Sequence, residues 1–211
     1  MLVNNEFLSV QGTGHLIGTP QYFVRTAGCS VKCPIRAQCD ERDALSRHNG
    51  VDCGVDEIVD RAIAAVGQSG WLHITGGEPA DQADEVGELI KAAQRIGMKC
   101  HLQTSGVFNW EVRFDWITVS PKVSANDLAQ RYGNEMCLVY TGQSDEELVD
   151  YARQTSFWHY YLVPLWDGKM SNAREACEAS IRLTSLGVGP RHFSAQEWLV
   201  GIQAHKFWGV E

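Results

Sequence analysis

Apolar runs rich in β-branched and aromatic residues alternate along this chain with segments whose apolar residues recur at helical spacing, and few folds accept that order. QYFVRTAG (21–28) reads as a strand, VDEIVDRAIAAVG (55–67) as a helix and WLHITGG (71–77) as a strand. A helix over ADEVGELIKAAQRIG (83–97) follows, then strands over KCHLQTSG (99–106) and DWITVSPK (115–122). A short strand near MCLVYTG (136–142) leads into the helical DEELVDYARQ (145–154), and the strand YYLVPLWD (160–167) leads into a helix near NAREACEASIRLTSLG (172–187). Strands separated by helices pair in parallel. The expectation is an α/β fold on one parallel sheet, open or curled into a barrel. With 211 residues, 44% of them hydrophobic, the chain suffices for a full core in a single domain, 1–211.

In such sheets the functional groups gather at the carboxyl ends of the strands, where the connecting loops converge. The first strand is followed by GCSVKCPIRAQCD, which carries Cys29, Cys33 and Cys39; the next ends in GGEP, and the others in TSG, SPK and PLWD. Taken singly, Gly76 and Gly77 read as turn residues and Ser120-Pro121 as a strand stop. Together they fall on one face. The three clustered cysteines are interleaved with Lys32, Arg36, Gln38 and Asp40, which a packed core does not accept, whereas Cys100, Cys137 and Cys177 sit in strand or helix patterns and read as core. Thiolates at this density select zinc or an iron–sulfur cluster. Zinc would close with a fourth ligand, for which Cys53 or His48 is available; a cluster held by three cysteines keeps one iron open for a ligand.

Charge narrows the partners. Eighteen basic against 26 acidic side chains leave a net −8, which repels nucleic acid and anionic lipid, so a small-molecule partner is expected. No apolar run reaches the roughly 18 residues of a membrane span, and MLVNNEFLSVQGTG lacks the basic flank and apolar stretch of a signal peptide. Seven cysteines, an odd number in a chain of this size, fit a reducing compartment, and the expected location is the cytoplasm.

The order of QGTG (11–14), GTPQYFVRTAGC (18–29), TGGEP (75–79), QTSG (103–106), TVSPK (118–122) and QAHKFWGVE (203–211) resembles the 7-carboxy-7-deazaguanine synthase family of radical S-adenosylmethionine enzymes. The resemblance spans nearly the whole chain; TVSPK and the closing segment are far more specific than GGEP. It implies a partial (β/α) barrel of about six mostly parallel strands, a homodimer, and a lyase reaction in the pathway to queuosine and related deazapurines. By that resemblance Cys29, Cys33 and Cys39 hold a [4Fe-4S] cluster whose open iron binds S-adenosyl-L-methionine. An electron from a donor such as flavodoxin or ferredoxin cleaves the sulfonium. The 5′-deoxyadenosyl radical then takes hydrogen from 6-carboxy-5,6,7,8-tetrahydropterin, which contracts with loss of ammonia. Gly76, Gly77, Glu78, Gly106, Ser120 and Lys122 match cofactor contacts; Gln11, Gly12, Arg25, Thr104, His205 and the terminal Glu211 match substrate contacts.

The sequence departs from the family pattern at three points. The family spaces its cysteines CxxxCxxC, whereas here Arg36 stands where the third would fall and the spacing is CxxxCxxxxxC, which implies a three-residue insertion before Cys39. Glu41 replaces a threonine whose hydroxyl binds Mg2+, and a carboxylate is also a hard oxygen ligand. Thr13 replaces a glutamate of the substrate site. Two other functions fit parts of the pattern: a radical enzyme that activates a partner protein, and a non-catalytic zinc domain closed by Cys53.

Overall fold

The computed structural model describes residues 1–185 and 197–210. Among the described residues, nine strands form one sheet in the order β3-β1-β2-β4-β5-β6-β7-β8-β9. The chain runs through β1 (Leu2–Val10), β2 (Pro20–Thr26), β3 (Val51–Asp52), α1 (Val55–Val66), β4 (Trp71–Gly76), α2 (Ala83–Arg95), β5 (Lys99–Thr104), β6 (Trp116–Val119), β7 (Tyr132–Tyr140), α3 (Asp145–Gln154), β8 (Ser156–Pro164), α4 (Ala173–Ser185), β9 (Trp198–Val200) and α5 (Ala204–Trp208). From β2 to β9 all neighbours are parallel, while β1 runs antiparallel to both β2 and β3.

Residues alternate between two faces of each strand. Leu72 and Ile74 of β4, Cys100 and Leu102 of β5, Val119 of β6, Met136 and Leu138 of β7 and Leu162 of β8 belong to the buried core together with Ile58, Leu89, Ile90, Leu148, Ala176 and Leu183 of the helices. Apolar burial at roughly 25 cal/mol per Å² makes this helix-covered face the main source of stability. The opposite register carries the other residues inward. His15, in the loop after β1, donates from its backbone to Glu135 of β7 at 2.7 Å, and Ala204 after β9 donates to the carbonyl of Gly12 at 2.8 Å. In a flat sheet those strands would lie about 24 Å or more apart at ~4.8 Å per strand, so the sheet is curled around a concave side. Its two edges, β3 and β9, do not pair, which makes it an open partial barrel.

The strand count exceeds the expected six. β1 carries one buried residue, Val3, and so lacks an apolar alternation, while β3 and β9 are two and three residues long. Most of the remaining elements fall where the sequence places them, α3 over the same residues and α4 over the described part of its segment, but β7 and β8 each begin four residues before the expected strand, and α5 falls in a motif for which no element is expected.

Candidate active site

β2 ends at Thr26, and the chain turns at Gly28 (φ +107°) into the cysteine loop. The following strand end is pressed against that root: Gly77 N donates to Thr26 O and Glu78 N to Gly28 O, both at 2.9 Å. A Cβ on Gly77 would stand 1.9 Å from Gly28 O, so only glycine lets the two loops meet. The expected three-residue insertion has a definite form. Arg36–Gln38 is a single 3-10 turn, with Arg36 N bonded to Cys33 O and Cys39 N to Arg36 O, and it turns the chain back so that Cys39 shares a cavity with Cys29 and Cys33. Burial pushes the Cys29 and Cys39 thiols up from their ordinary range. The two candidates for a distant fourth ligand, Cys53 and His48, do not line this cavity; Cys53 lies beside the chain start, its carbonyl bonded to the Met1 amine.

The cavity has a volume of about 290 Å³ and takes residues from both ends of the sheet. Glu78, 1% exposed, is the most heavily bonded group around it. Its Oε1 accepts from Ala80 N (3.1 Å) and Thr104 Oγ1 (2.6 Å), and its Oε2 from Ser105 N (2.9 Å) and Ser105 Oγ (2.5 Å). The carboxylate expected as a cofactor contact thus has four donors from the chain, and it ties the ends of β4 and β5 together. Lys122, half-buried, donates to Ser120 O (2.8 Å) and Ser120 Oγ (2.6 Å), and desolvation lowers its pKa. Gly106 is set back from the cavity lining: at φ +79° it accepts from Ala129 N and Gln130 N, and a Cβ there would meet Leu128 and Val119 at 2.7 Å.

On the opposite wall, Arg25 projects from β2 with its guanidinium 4.4 Å above the Phe7 ring. Glu41, expected as a magnesium ligand, forms an ion pair with it, Oε1 to Nη2 at 2.6 Å. The neighbouring Asp40 pairs with Lys206 of α5 at 3.0 Å. Gly12 lies under His205, whose Nδ1 would be 2.1 Å from a Cβ at that position. Desolvation, ahead of the Lys206 charge, lowers the pKa of His205. Gln11 turns its amide onto Thr13, donating to the carbonyl at 3.1 Å and the hydroxyl at 3.4 Å. Gly76, Gly77, Glu78, Thr104, Ser120, Lys122, Gln11, Gly12, Arg25, His205, Glu41 and the three cysteines therefore converge; Glu211 lies outside the described residues.

Sequence reasoning missed Gln103, Ser105, Val139, Val163 and Trp166, which also line the cavity, and took Cys137 only as core although it lies on the cavity floor. Strand register held the signal for three of them: Gln103 is two residues past the inward His101, and Val139 is two past Cys137 and in register with the inward Val163 of β8.

The donor set fits a cluster better than a single ion. Among the described residues no three His, Cys, Asp or Glu side chains come together around one metal position, whereas a cubane takes each thiolate on a separate iron and needs only that the sulfurs face a common space. For magnesium the chain offers Glu41, whose charge is already met by Arg25.

The chain is 31% identical over 212 residues to the 7-carboxy-7-deazaguanine synthase of Synechocystis sp., covering 99% of this chain and 92% of that protein. It is 30% identical over 223 residues to that of Burkholderia multivorans, covering 99% and 98%. With that of Hyperthermus butylicus the identity is 32% over 184 residues, 86% of this chain and 70% of the relative. The crystal structure of QueE from Escherichia coli shares the fold, with a TM-score of 0.65 and 22% identity over 97% of this chain and 94% of that one. No family model matches. With identity of this order sustained over nearly the full length of its relatives, the chain belongs to the 7-carboxy-7-deazaguanine synthase family.

Proposed function

We propose that this chain is a radical S-adenosylmethionine lyase that converts 6-carboxy-5,6,7,8-tetrahydropterin to 7-carboxy-7-deazaguanine with loss of ammonia. The observation that carries the reading is the convergence of Cys29, Cys33 and Cys39 with Glu78, Lys122, Arg25 and His205 around one cavity. When bound, a [4Fe-4S] cluster on the three cysteines and S-adenosylmethionine on its open iron supply the one-electron chemistry that begins the reaction.

The chain's own residues bind, orient and enclose. Arg25 offers a planar fork suited to the carboxylate of the pterin, held flat by Phe7. Gln11, Gly12, Thr104 and His205 frame the substrate end of the cavity. Gly76, Gly77, Ser120 and Lys122 frame the cofactor end, with Gly106 supporting the turn behind it. Glu78 acts there through Thr104 and Ser105, which its carboxylate holds. Lys122, drawn against Ser120, lies near the cysteines, where desolvation lowers its pKa and Cys33 and Glu78 partly offset that. Trp166, packed edge-on against Phe207 of α5 at 5.8 Å, closes one side against water.

We further take the electron donor to be a flavodoxin or ferredoxin and the assembly a homodimer; Leu199 and Val200 are exposed on the edge strand β9, and an apolar edge suits a second copy. All seven cysteines are free, in keeping with a cytoplasmic location, and no described helix is long and apolar enough to cross a membrane. Anaerobic reconstitution with iron and sulfide, followed by assay with carboxytetrahydropterin, dithionite and S-adenosylmethionine, tests the function. A deazaguanine product is expected. A loaded, reducible cluster that yields none refutes it, and 5′-deoxyadenosine released without deazaguanine would point instead to activation of a partner protein.

A further inference from the structure

The loop between β1 and β2 reaches across the concave side of the sheet, and different stretches of it meet different layers. Its neck is closed by Gln11 N to Thr19 O at 2.9 Å and Gly18 N to Gln11 O at 2.8 Å. Gln11, Gly12 and Thr13 line the cavity, and Gly12 O accepts from Ala204 N at 2.8 Å. Just past them, His15 N donates to Glu135 Oε2 at 2.7 Å. Gly14 lies between, at φ +71°, and a Cβ there would stand 2.3 Å from Glu135 Oε1, so the loop backbone rests directly on the carboxylate. Glu135 itself is fully buried and does not line the cavity. It stands on β7, which is paired on both sides, in register with Thr118 of β6 and His159 of β8. Its Oε1 accepts from Thr118 Oγ1 at 2.6 Å, and that hydroxyl lies 2.8 Å from His101 Nε2. The His15 ring stacks on His159 with centroids 4.3 Å apart.

We propose that Glu135 is a positioning residue for the substrate, acting through the backbone of Gly14 and His15 to set where Gln11, Gly12 and Thr13 stand in the cavity. The inference rests on the proposed function for the identity of that substrate. Burying a carboxylate is costly unless its oxygens are hydrogen-bonded, and here each oxygen has a donor, Thr118 from the sheet and His15 from the loop. Glu135 therefore rivets a segment without regular structure to a strand held on both edges. Without an acceptor at His15 N, Thr13 and Gly12 are released to shift, and Gly12 has no room toward His205, whose Nδ1 would be 2.1 Å from a Cβ there. A displacement of about 1 Å at a substrate-facing backbone is enough to lower the rate on the order of a hundredfold. Glutamine keeps the hold by reversing the hydrogen-bond chain: its carbonyl accepts from His15 N, its amide donates to Thr118 Oγ1, and Thr118 donates to His101 Nε2. His101 then carries its proton on Nδ1, facing Gln21 Oε1 at 3.0 Å. Methionine is close in volume and offers no such acceptor.

The test follows loop and substrate together in the anaerobically reconstituted protein, in wild type, Glu135→Met, Glu135→Gln and Gly14→Ala. Hydrogen–deuterium exchange reads the backbone of 11–19, and steady-state kinetics read carboxytetrahydropterin. Glu135→Met is expected to speed exchange over 11–19 about tenfold, to raise KM about tenfold and to lower kcat/KM about a hundredfold. Iron content and exchange over the cysteine loop should stay as in wild type. Glu135→Gln should restore most of the protection and of KM. Gly14→Ala forces the loop off the carboxylate from the other side and should reproduce Glu135→Met; it decides the matter if Glu135→Met does not fold. A merely structural role lowers the urea midpoint and leaves KM in place. A loosened loop with unchanged KM, a raised KM with an unchanged loop, or a Glu135→Gln as impaired as Glu135→Met each overturns the inference alone. If wild type with a loaded cluster neither binds nor converts carboxytetrahydropterin, the proposed function falls and the inference with it.

Discussion

At the scale of single residues, the site is built by groups whose replacement has calculable consequences. Gly77→Ala forces a methyl group against the Gly28 carbonyl, with both loops held by backbone hydrogen bonds that cannot relax separately. A loss of about 3 kcal/mol is expected, read as a fall in Tm of roughly 10 °C for a chain of this size. Glu78→Gln is the second case. Both carboxylate oxygens accept from the chain, so whichever way the amide is placed its NH2 faces donors that have lost their acceptor. We expect a loss of about 2–4 kcal/mol in urea unfolding, and a variant as stable as wild type would show that Thr104 and Ser105 do not depend on the carboxylate. These roles were only partly legible in the sequence. The glycines of TGGEP read as turn residues, but that Gly77 meets the Gly28 carbonyl is a tertiary fact. The Arg25–Glu41 pair is likewise invisible, because opposite charges in two motifs carry no sign that they face each other.

At the scale of elements, legibility followed apolar content. Strands that bury one face and feed a helix were plain, because their register and the 3.6-residue spacing of α1, α2, α3 and α4 agree on the same core. α3 was readable to the residue because Ser144 and Glu147 form a reciprocal capping box at its start. β1 was not, since a strand lying outside the helix-covered core needs no apolar alternation. α5, five residues long, was seen only through its motif, yet it delivers His205 over Gly12, Lys206 to Asp40 and Phe207 to Trp166. It lies beyond β9, and Gln203, whose side chain donates to Pro164 O at 3.1 Å, anchors the chain before it. Ending the chain after Gln203 should therefore leave the sheet intact while opening the cavity. The expected result is wild-type far-UV dichroism with deazaguanine formation lowered at least a hundredfold; loss of the fold would mean that α5 holds the barrel together and does not merely cover it.

At the scale of the whole molecule, the concave side of the sheet is divided into an upper cavity and a buried polar floor, and the floor sets how the fold answers acid. His101 is enclosed between Gln21 and Thr118, with its Nε2 2.8 Å from Thr118 Oγ1, and Thr118 in turn donates to the buried Glu135 at 2.6 Å. His73 stacks on His101 with ring centroids 3.9 Å apart. Burial pushes His101 down to about 3, and burial together with the neighbouring His101 holds His73 well below the usual range. The unfolded chain protonates both near pH 6.5 while the native chain does not, so stability is present above that pH and is lost as pH falls toward 3, each histidine contributing about 1.4 kcal/mol per pH unit. Glu135 acts in the opposite sense: desolvation raises its pKa, so the native state takes its proton before the unfolded one and regains part of the loss. Two histidines outweigh one carboxyl, and the net slope is toward acid instability. His101→Gln retains a donor toward Thr118 but removes one titrating ring. Urea midpoints at pH 7.5, 6.0 and 5.0 should show a variant that is weaker at the highest pH and converges on wild type by about 1.4 kcal/mol per unit as the pH drops below 6.5; parallel profiles would mean that the native floor accepts the proton.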